Sequence, residues 1–87
     1  MLFPIGQVVA TPGALSFKEQ GLNLLLYLYR HINGDWGDLS DEDKAENNFS
    51  LKHGFRLLSS YNTPFGSLWI ITEADRSVTT FLLPAEY

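Results

Sequence analysis

Apolar residues are spaced as in helices over the first half of the chain and as in strands over the second half. Leucines and a tyrosine recur at positions i, i+3, i+4 and i+7, namely Leu22, Leu25, Leu26 and Tyr29. This spacing places side chains on one face of a helix, so it predicts a core helix from Gly21 to His31 with these four residues pointing inward. Leu24 and Leu28 widen that apolar face.

Two further helices are predicted from the signals at their ends. Thr11 followed by Pro12 provides an N-cap and a proline at the first helical position, which indicates a short helix that starts there. Ser40 can cap a second helix that runs from Asp41 to about His53, with acidic residues in its first turn. We expect Phe49 of that helix to point inward.

The second half of the chain contains three runs rich in β-branched and aromatic residues, over 55–61, 67–72 and 78–83, separated by turn residues. They predict a three-stranded antiparallel meander. A short β-prone segment, Ile5–Ala10, precedes the first helix. The predicted fold class is therefore α+β: an N-terminal short strand and two to three helices packed on a C-terminal three-stranded antiparallel β-meander.

Length and composition indicate one domain that spans residues 1–87. Hydrophobic residues make up 45% of the chain, which is enough to form one compact core. Cysteine is absent, so the fold cannot depend on disulfides or on zinc held by thiolates. No apolar run is long enough to span a membrane, and we expect a cytoplasmic bacterial protein.

The formal net charge of −4 is concentrated between Asp35 and Glu46. No basic stripe is visible, which disfavours direct DNA binding. A carboxylate patch with one large aromatic residue is typical of a protein-binding surface, formed here by Asp35, Trp36, Asp38, Asp41 and Glu42. The alternative interpretation is an N-cap followed by a solvated helix face, with Trp36 packed in the core.

A second group of charged residues allows a catalytic interpretation. Glu73 and Arg76 lie in a predicted hairpin, and Arg56 comes from a neighbouring strand. A carboxylate beside arginines on a small sheet could supply acid–base chemistry and phosphate stabilisation, as in small ribonucleases. The same residues are equally typical of a polar hairpin. We predict no metal site and no cofactor, because no ligand spacing connects His31 with His53 and no phosphate-binding glycine loop is present.

Four segments together carry a resemblance to a protein family: VVATPGAL at 8–15, GDWGDL at 34–39, IITEADRS at 70–77 and LPAEY at 83–87. They resemble small bacterial proteins of plasmids and other mobile elements, usually described as plasmid-related or hypothetical and in some cases named as a type I restriction enzyme modification subunit. The resemblance implies a compact stand-alone protein in a bacterial context. It brings no catalytic residue, and the chain lacks the motifs and the length of a methyltransferase.

Three functional hypotheses follow from these observations. The first is a non-enzymatic protein-binding or regulatory module of mobile elements, acting in host-defence modulation or plasmid maintenance, with another protein as its partner. The second is a small ribonuclease-like toxin that uses Glu73, Arg76 and Arg56. The third is a homo-oligomeric structural protein, because the segment Ile5–Ala10 could add to a sheet edge in another copy.

Overall fold

The computed structural model describes residues 1–87 as three helices and one four-stranded sheet. The elements in chain order are β1 (Gln7–Ala10), α1 (Pro12–Glu19), α2 (Leu24–Ile32), α3 (Asp41–His53), β2 (Leu57–Thr63), β3 (Gly66–Thr72) and β4 (Val78–Leu82), followed by a short 3-10 turn at Pro84–Glu86. The helices begin after the predicted caps, because the side chains of Thr11 and Ser40 accept hydrogen bonds from the first turns of α1 and α3. The α+β class is therefore confirmed.

The sheet differs from the expected three-stranded meander. Its strand order is β1-β4-β3-β2, and β1 pairs parallel to β4 while the other neighbours are antiparallel. Gly6, at φ +61, lets the chain approach the β3–β4 turn, and Gln7 then donates to the carbonyl of Ser77 at 2.9 Å. The N-terminal strand joins the sheet because β4 would otherwise leave one side of its backbone unpaired. The result is a mixed, four-stranded sheet.

One face of the sheet packs against α1 and α2. The buried residues that the three antiparallel strands contribute to this face are Leu57, Ser59, Tyr61, Leu68, Ile70, Thr72, Thr79 and Phe81. At the β2–β3 turn, Thr63 is half-buried and Gly66 is exposed. Ala14 and Phe17 of α1 pack on this face together with Leu22 and Leu28. Because α1 and α2 cover this face only, most residues of the opposite face remain partly exposed.

The core helix α2 turns a different face inward from the one its leucines predict. Its buried residues are Leu24, Leu28 and His31, spaced i, i+4 and i+7. Leu25, Leu26 and Tyr29 point outward, with 71%, 55% and 58% of their surface exposed. Leu22, Leu24 and Leu28 are buried as expected. The expectation was wrong for Leu25, Leu26 and Tyr29, because the buried His31 completes the inward face and a histidine does not count as apolar in a periodicity argument.

The surface helix α3 is also oriented differently from the prediction. Its one buried residue is Asn47, whereas Phe49 is 56% exposed and stacks beside His53 and Phe55. The helix therefore docks through a polar side chain and not through an apolar stripe. The expectation that Phe49 points inward is wrong, because α3 contacts the sheet edge through Asn47 and the core through Leu51, which packs against the cluster of Phe3, Trp36 and Leu57.

Helix α1 is held at its N-terminus by a carboxylate from the end of the chain. Glu86 accepts hydrogen bonds from the hydroxyl of Thr11 at 2.6 Å and from the amides of Gly13 and Leu83 at 2.9 and 2.8 Å. These bonds, the one from Thr11 above all, lower the pKa of Glu86. A negative charge at a helix N-terminus is favourable, so this contact fixes α1 against the sheet.

A chain of buried hydrogen bonds links α2 to all three antiparallel strands. His31 Nδ1 lies 2.5 Å from Ser59 Oγ, and His31 Nε2 lies 2.9 Å from Thr72 Oγ1. Thr72 Oγ1 is 2.8 Å from Thr79 Oγ1, which donates to the carbonyl of Ile5 at 2.8 Å. All four side chains are fully buried. The chain of bonds therefore crosses the core from β2 to the segment that precedes β1.

The carbonyl of Ile5, at the end of this series of hydrogen bonds, determines where each proton lies. A carbonyl only accepts, so Thr79 must donate to Ile5 and accept from Thr72. Thr72 has then used its one proton, so His31 must donate from Nε2 and accept from Ser59 at Nδ1. This arrangement requires a neutral imidazole with its proton on Nε2.

The buried His31 makes the stability of the fold dependent on pH. Burial, with Arg76 as a second cause, lowers the pKa of His31 to about 4 from 6.5. Its contribution is fully present above the unfolded value of 6.5 and is lost as pH falls toward 4, because the unfolded chain then binds a proton that the folded chain excludes. We expect the free energy of unfolding in urea to fall by about 2 kcal/mol between pH 7 and pH 5.

The two histidines provide a matched pair of variants for this measurement. His53→Gln is the control for the loss of an imidazole outside the core, because His53 is exposed at the end of α3. His31→Gln should be less stable at pH 7 and nearly independent of pH down to 5. If His31→Gln does not fold, an NMR titration of the wild-type imidazole replaces it. A His31 resonance that titrates near pH 6.5 would contradict the prediction.

Candidate functional site

The acidic segment, residues 35–46, lies along the outer edge of β2. The carbonyl of Trp36 accepts from the amide of Ser60 at 3.1 Å, and the amide of Asp38 donates to the carbonyl of Ser60 at 2.6 Å. Oδ2 of Asp38 also accepts from the amide of Asn62 at 2.8 Å. The segment therefore pairs with β2 much as a fifth strand would.

Asn47, nearly two turns into α3, continues this pairing. Its Nδ2 donates to the carbonyl of Leu58 at 2.5 Å, and its Oδ1 accepts from the amide of Leu58 at 3.2 Å. Leu58, Ser60 and Asn62 are the alternate residues of β2 that face away from β3, and five of their six backbone groups are paired with the segment 36–47. Sequence reasoning missed Asn47, although a polar residue at the centre of a helix without an apolar stripe was a usable signal.

Trp36 is part of the core and not an exposed anchor. Only 3% of its surface is exposed, and its ring stacks on Phe3 at 6.2 Å and meets the edge of His31 at 5.7 Å. Its indole Nε1 donates to Oδ1 of Asn48 at 3.0 Å. The candidate surface predicted from the sequence thus loses its aromatic centre, because the glycine turn around Trp36 folds the ring inward.

The acidic residues of the candidate surface divide into two groups. Asp35 forms an ion pair with Arg30 at 2.7 Å and accepts from the amide of Gly37 at 3.1 Å, and Arg30 in particular lowers the pKa of Asp35. Asp38 is committed to the β2 edge. Asp41 and Glu42 are exposed in the first turn of α3, where their negative charges interact favourably with the positive end of the helix dipole. Two of the four carboxylates therefore have a structural role.

The two arginines among the predicted catalytic residues make hydrogen bonds to other parts of the fold. The guanidinium of Arg76 donates to the carbonyls of Phe55 and Glu73 at 2.7 and 3.0 Å. It therefore links the backbone of the β3–β4 turn to the backbone that follows α3. Arg56 donates to the hydroxyl of Tyr87 at 2.5 Å. Neither of the two cavities is lined by Glu73 or Arg76. Of the three, only Arg56 lines the smaller cavity, and no hydrogen bond joins the side chains of Glu73, Arg76 and Arg56.

The smaller cavity, about 230 Å³ between α3 and β2, is lined mainly by polar residues that include Asp43, Glu46 and Arg56. No group of three histidine, cysteine or carboxylate side chains is close enough to hold a metal ion. No helix is long and apolar enough to cross a membrane.

The opposite edge of the sheet, at β1, is open. Gln7 donates to the carbonyl of Ser77, just before β4, at 2.9 Å, and Thr11 donates to the carbonyl of Phe81 in β4 at 3.0 Å. Because backbone groups alternate along a strand, the amides and carbonyls of Val8 and Ala10 point away from β4. No other strand lies beyond β1. Two residues therefore present backbone donors and acceptors to solvent at this edge.

An apolar groove of about 630 Å³ runs beside the open edge. Its floor and walls come from β1, from α1 and from the start of α2, and eight of its ten lining residues are hydrophobic. Those residues include Val8, Leu15, Leu22 and Leu25, and Lys18 is its one charged lining residue. The groove exists because the strand β1 extends the sheet beyond the area that α1 and α2 cover.

The exposed face of α2 extends the apolar surface of the groove. Leu25 lines the groove, and Leu26 and Tyr29 continue along the outward side of the same helix. Exposed apolar patches of this kind on a small protein are typical of interaction surfaces. We define the candidate functional site as the open β1 edge, the groove and this face of α2. Sequence reasoning had assigned the same leucines to the core and therefore missed the site.

Comparisons of the chain with protein-family models, with curated proteins and with solved structures found no match.

The pairing at the outer edge of β2 depends on glycine at position 37. Gly37 has φ +80, and a Cβ added there would lie 2.1 Å from the carbonyl oxygen of Ser60. We expect Gly37→Ala to lower the free energy of unfolding by about 3 kcal/mol or more, because strain and a backbone clash add together. Gly54→Ala is the matched control, since Gly54 has φ +75 with open space around it, and it should cost only about 1 to 2 kcal/mol.

Urea denaturation of both variants measures the difference. Amide hydrogen exchange at Ser60 gives a local readout, and the exchange should quicken in Gly37→Ala but not in Gly54→Ala. Equal losses of stability with equal exchange at Ser60 would contradict the assigned role of Gly37.

Proposed function

We propose that this chain is a non-enzymatic protein-binding module that takes an extended segment of a partner protein at the open β1 edge. One observation carries the proposal: the segment 35–47 pairs with the outward backbone groups along β2, while the outward groups of β1 face solvent beside an apolar groove. Unpaired edge groups next to apolar surface are what strand addition uses.

Strand addition at β1 would supply both affinity and selectivity. The amides and carbonyls of Val8 and Ala10 offer main-chain hydrogen bonds to an extended segment. Side chains at every second position of that segment would enter the groove against Leu15 and Leu25, because successive side chains of a strand point to opposite faces. A segment with apolar residues at alternate positions fits this surface.

The charge at the groove adds one further requirement. Lys18 is its one charged lining residue, whereas the acidic segment lies at the opposite edge of the sheet. A partner segment that carries a carboxylate next to its apolar positions would therefore be complementary. A partner that acts in host defence or plasmid maintenance of mobile elements stays a prediction of the first hypothesis.

The first prediction of this proposal concerns selected peptides. Random linear peptides displayed on phage and selected on the purified protein should alternate apolar residues, and their binding should shift the NMR amide signals of Val8 and Ala10. Val8→Pro should abolish binding, because proline removes an outward amide that makes no bond to β4. Val8→Thr, which keeps that amide and the branched shape, is the matched control and should bind within a few-fold of wild type.

A second variant tests the groove without touching the backbone. Leu25→Glu replaces a largely exposed side chain, so the fold should remain intact while peptide binding falls at least about tenfold. Phe49→Glu, at another largely exposed apolar position, on α3, should leave peptide binding unchanged. Peptides that instead shift the amides of Asp38 and Asn62, or a selection that yields no binder, would overturn the assignment.

A further inference from the structure

We infer that a second copy of this chain occupies the open β1 edge when no other partner is bound, through antiparallel pairing of β1 with β1 about a two-fold axis at Val9. This inference rests on the surface named in the proposed function and specifies an occupant for it. Val8 would pair with Ala10 of the second copy, and Ala10 with Val8 of the second copy.

The register of this pairing is set by the positions of the free backbone groups. Each copy has two outward amides and two outward carbonyls, at Val8 and Ala10. Antiparallel pairing centred on Val9 matches every one of these donors with an acceptor of the other copy, and a two-fold axis repeats each bond. Because the axis is perpendicular to the sheet, both buried faces stay on the same side and the two grooves face each other.

Apart from its shortness, the edge carries none of the devices that usually prevent such pairing. Natural edge strands are blocked by lysine, proline, a bulge or a covering segment. Strand β1 reads Gln-Val-Val-Ala, without a charge or a proline, and its residues pair with β4 in unbroken register. The covering segment of this fold lies at β2. An unprotected edge of this kind is self-complementary by construction.

Charge does not oppose the pairing, although each copy has a net charge of −4. The acidic residues of segment 35–46 lie beside β2, at the far edge of each sheet. Only Lys18 is charged among the residues that line the groove. In an eight-stranded sheet formed through β1, the two acidic edges would be as far apart as the assembly allows, so their repulsion is largely screened.

The size of the surface predicts a weak dimer. The exposed apolar side chains near the edge are Val8, Val9, Leu15, Leu25, Leu26 and Tyr29. Their exposed area is on the order of 600 Å² per copy, below the ~800 Å² that each partner buries in a standard interface. We therefore expect dimers that form with rising concentration and that an extended peptide can displace.

Sedimentation equilibrium over a concentration series tests the inference. Wild type should shift from monomer to dimer as its concentration rises to about 1 mM, which is the range of a weak complex. Val8→Pro should remain monomeric, and Val8→Thr and Phe49→Glu should dimerise as wild type does. A wild-type monomer throughout, or a dimer that Val8→Pro leaves intact, would overturn the inference.

The peptide measurements separate failure of this inference from failure of the proposed function. A monomeric chain that still binds selected peptides at Val8 and Ala10 refutes the second copy as occupant and leaves the binding module standing. A chain that dimerises through another surface and binds no peptide at β1 refutes both. Competition between peptide and dimer, seen as loss of the dimer on peptide addition, supports both.

Discussion

The requirement that backbone amides and carbonyls find partners at the edges of the sheet organises this molecule. A four-stranded sheet has two edges, and the chain uses the segment from Trp36 to Asn47 to close one of them, at β2. That use explains the buried Trp36, the polar docking of α3 and the constraint at Gly37 together. The edge at β1 receives no such segment, so its outward groups are the part of the backbone open to another chain.

The buried hydrogen-bond chain determines where that open edge lies. A neutral His31 joins α2 to β2 and β3, and the bonds continue through Thr79 to the carbonyl of Ile5, just before β1. Each polar group in this chain is costly to bury unless its bond is made, so the arrangement is all-or-none. The path of the polypeptide into β1, and with it the position of the groove, therefore depends on this hydrogen-bond network in the core.

Signals within a few residues of each other predicted the helices and strands, whereas contacts between distant parts of the chain could not be predicted from the sequence. The caps Thr11 and Ser40 and the turn residues between strands act within a few residues, so the starts of α1 and α3 and the three C-terminal strands follow from the sequence. The pairing of β1 with β4 joins residues about seventy positions apart, which no local pattern reports. The predictions of which faces of α2 and α3 point inward failed for the same reason. His31 and Asn47 are buried polar residues, and a periodicity argument counts only apolar residues.

The candidate site escaped prediction because it is defined by unmade bonds. A cluster of carboxylates is visible in a sequence, whereas a free backbone amide is visible only after every other amide has been assigned a partner. The short length of β1 limits how many free backbone groups the open edge has. Gly6 and the start of α1 at Pro12 confine the free groups to Val8 and Ala10, which is too few for indefinite strand stacking. An edge this short can accept one extended segment or one copy of itself, and pairing about a two-fold axis closes the assembly.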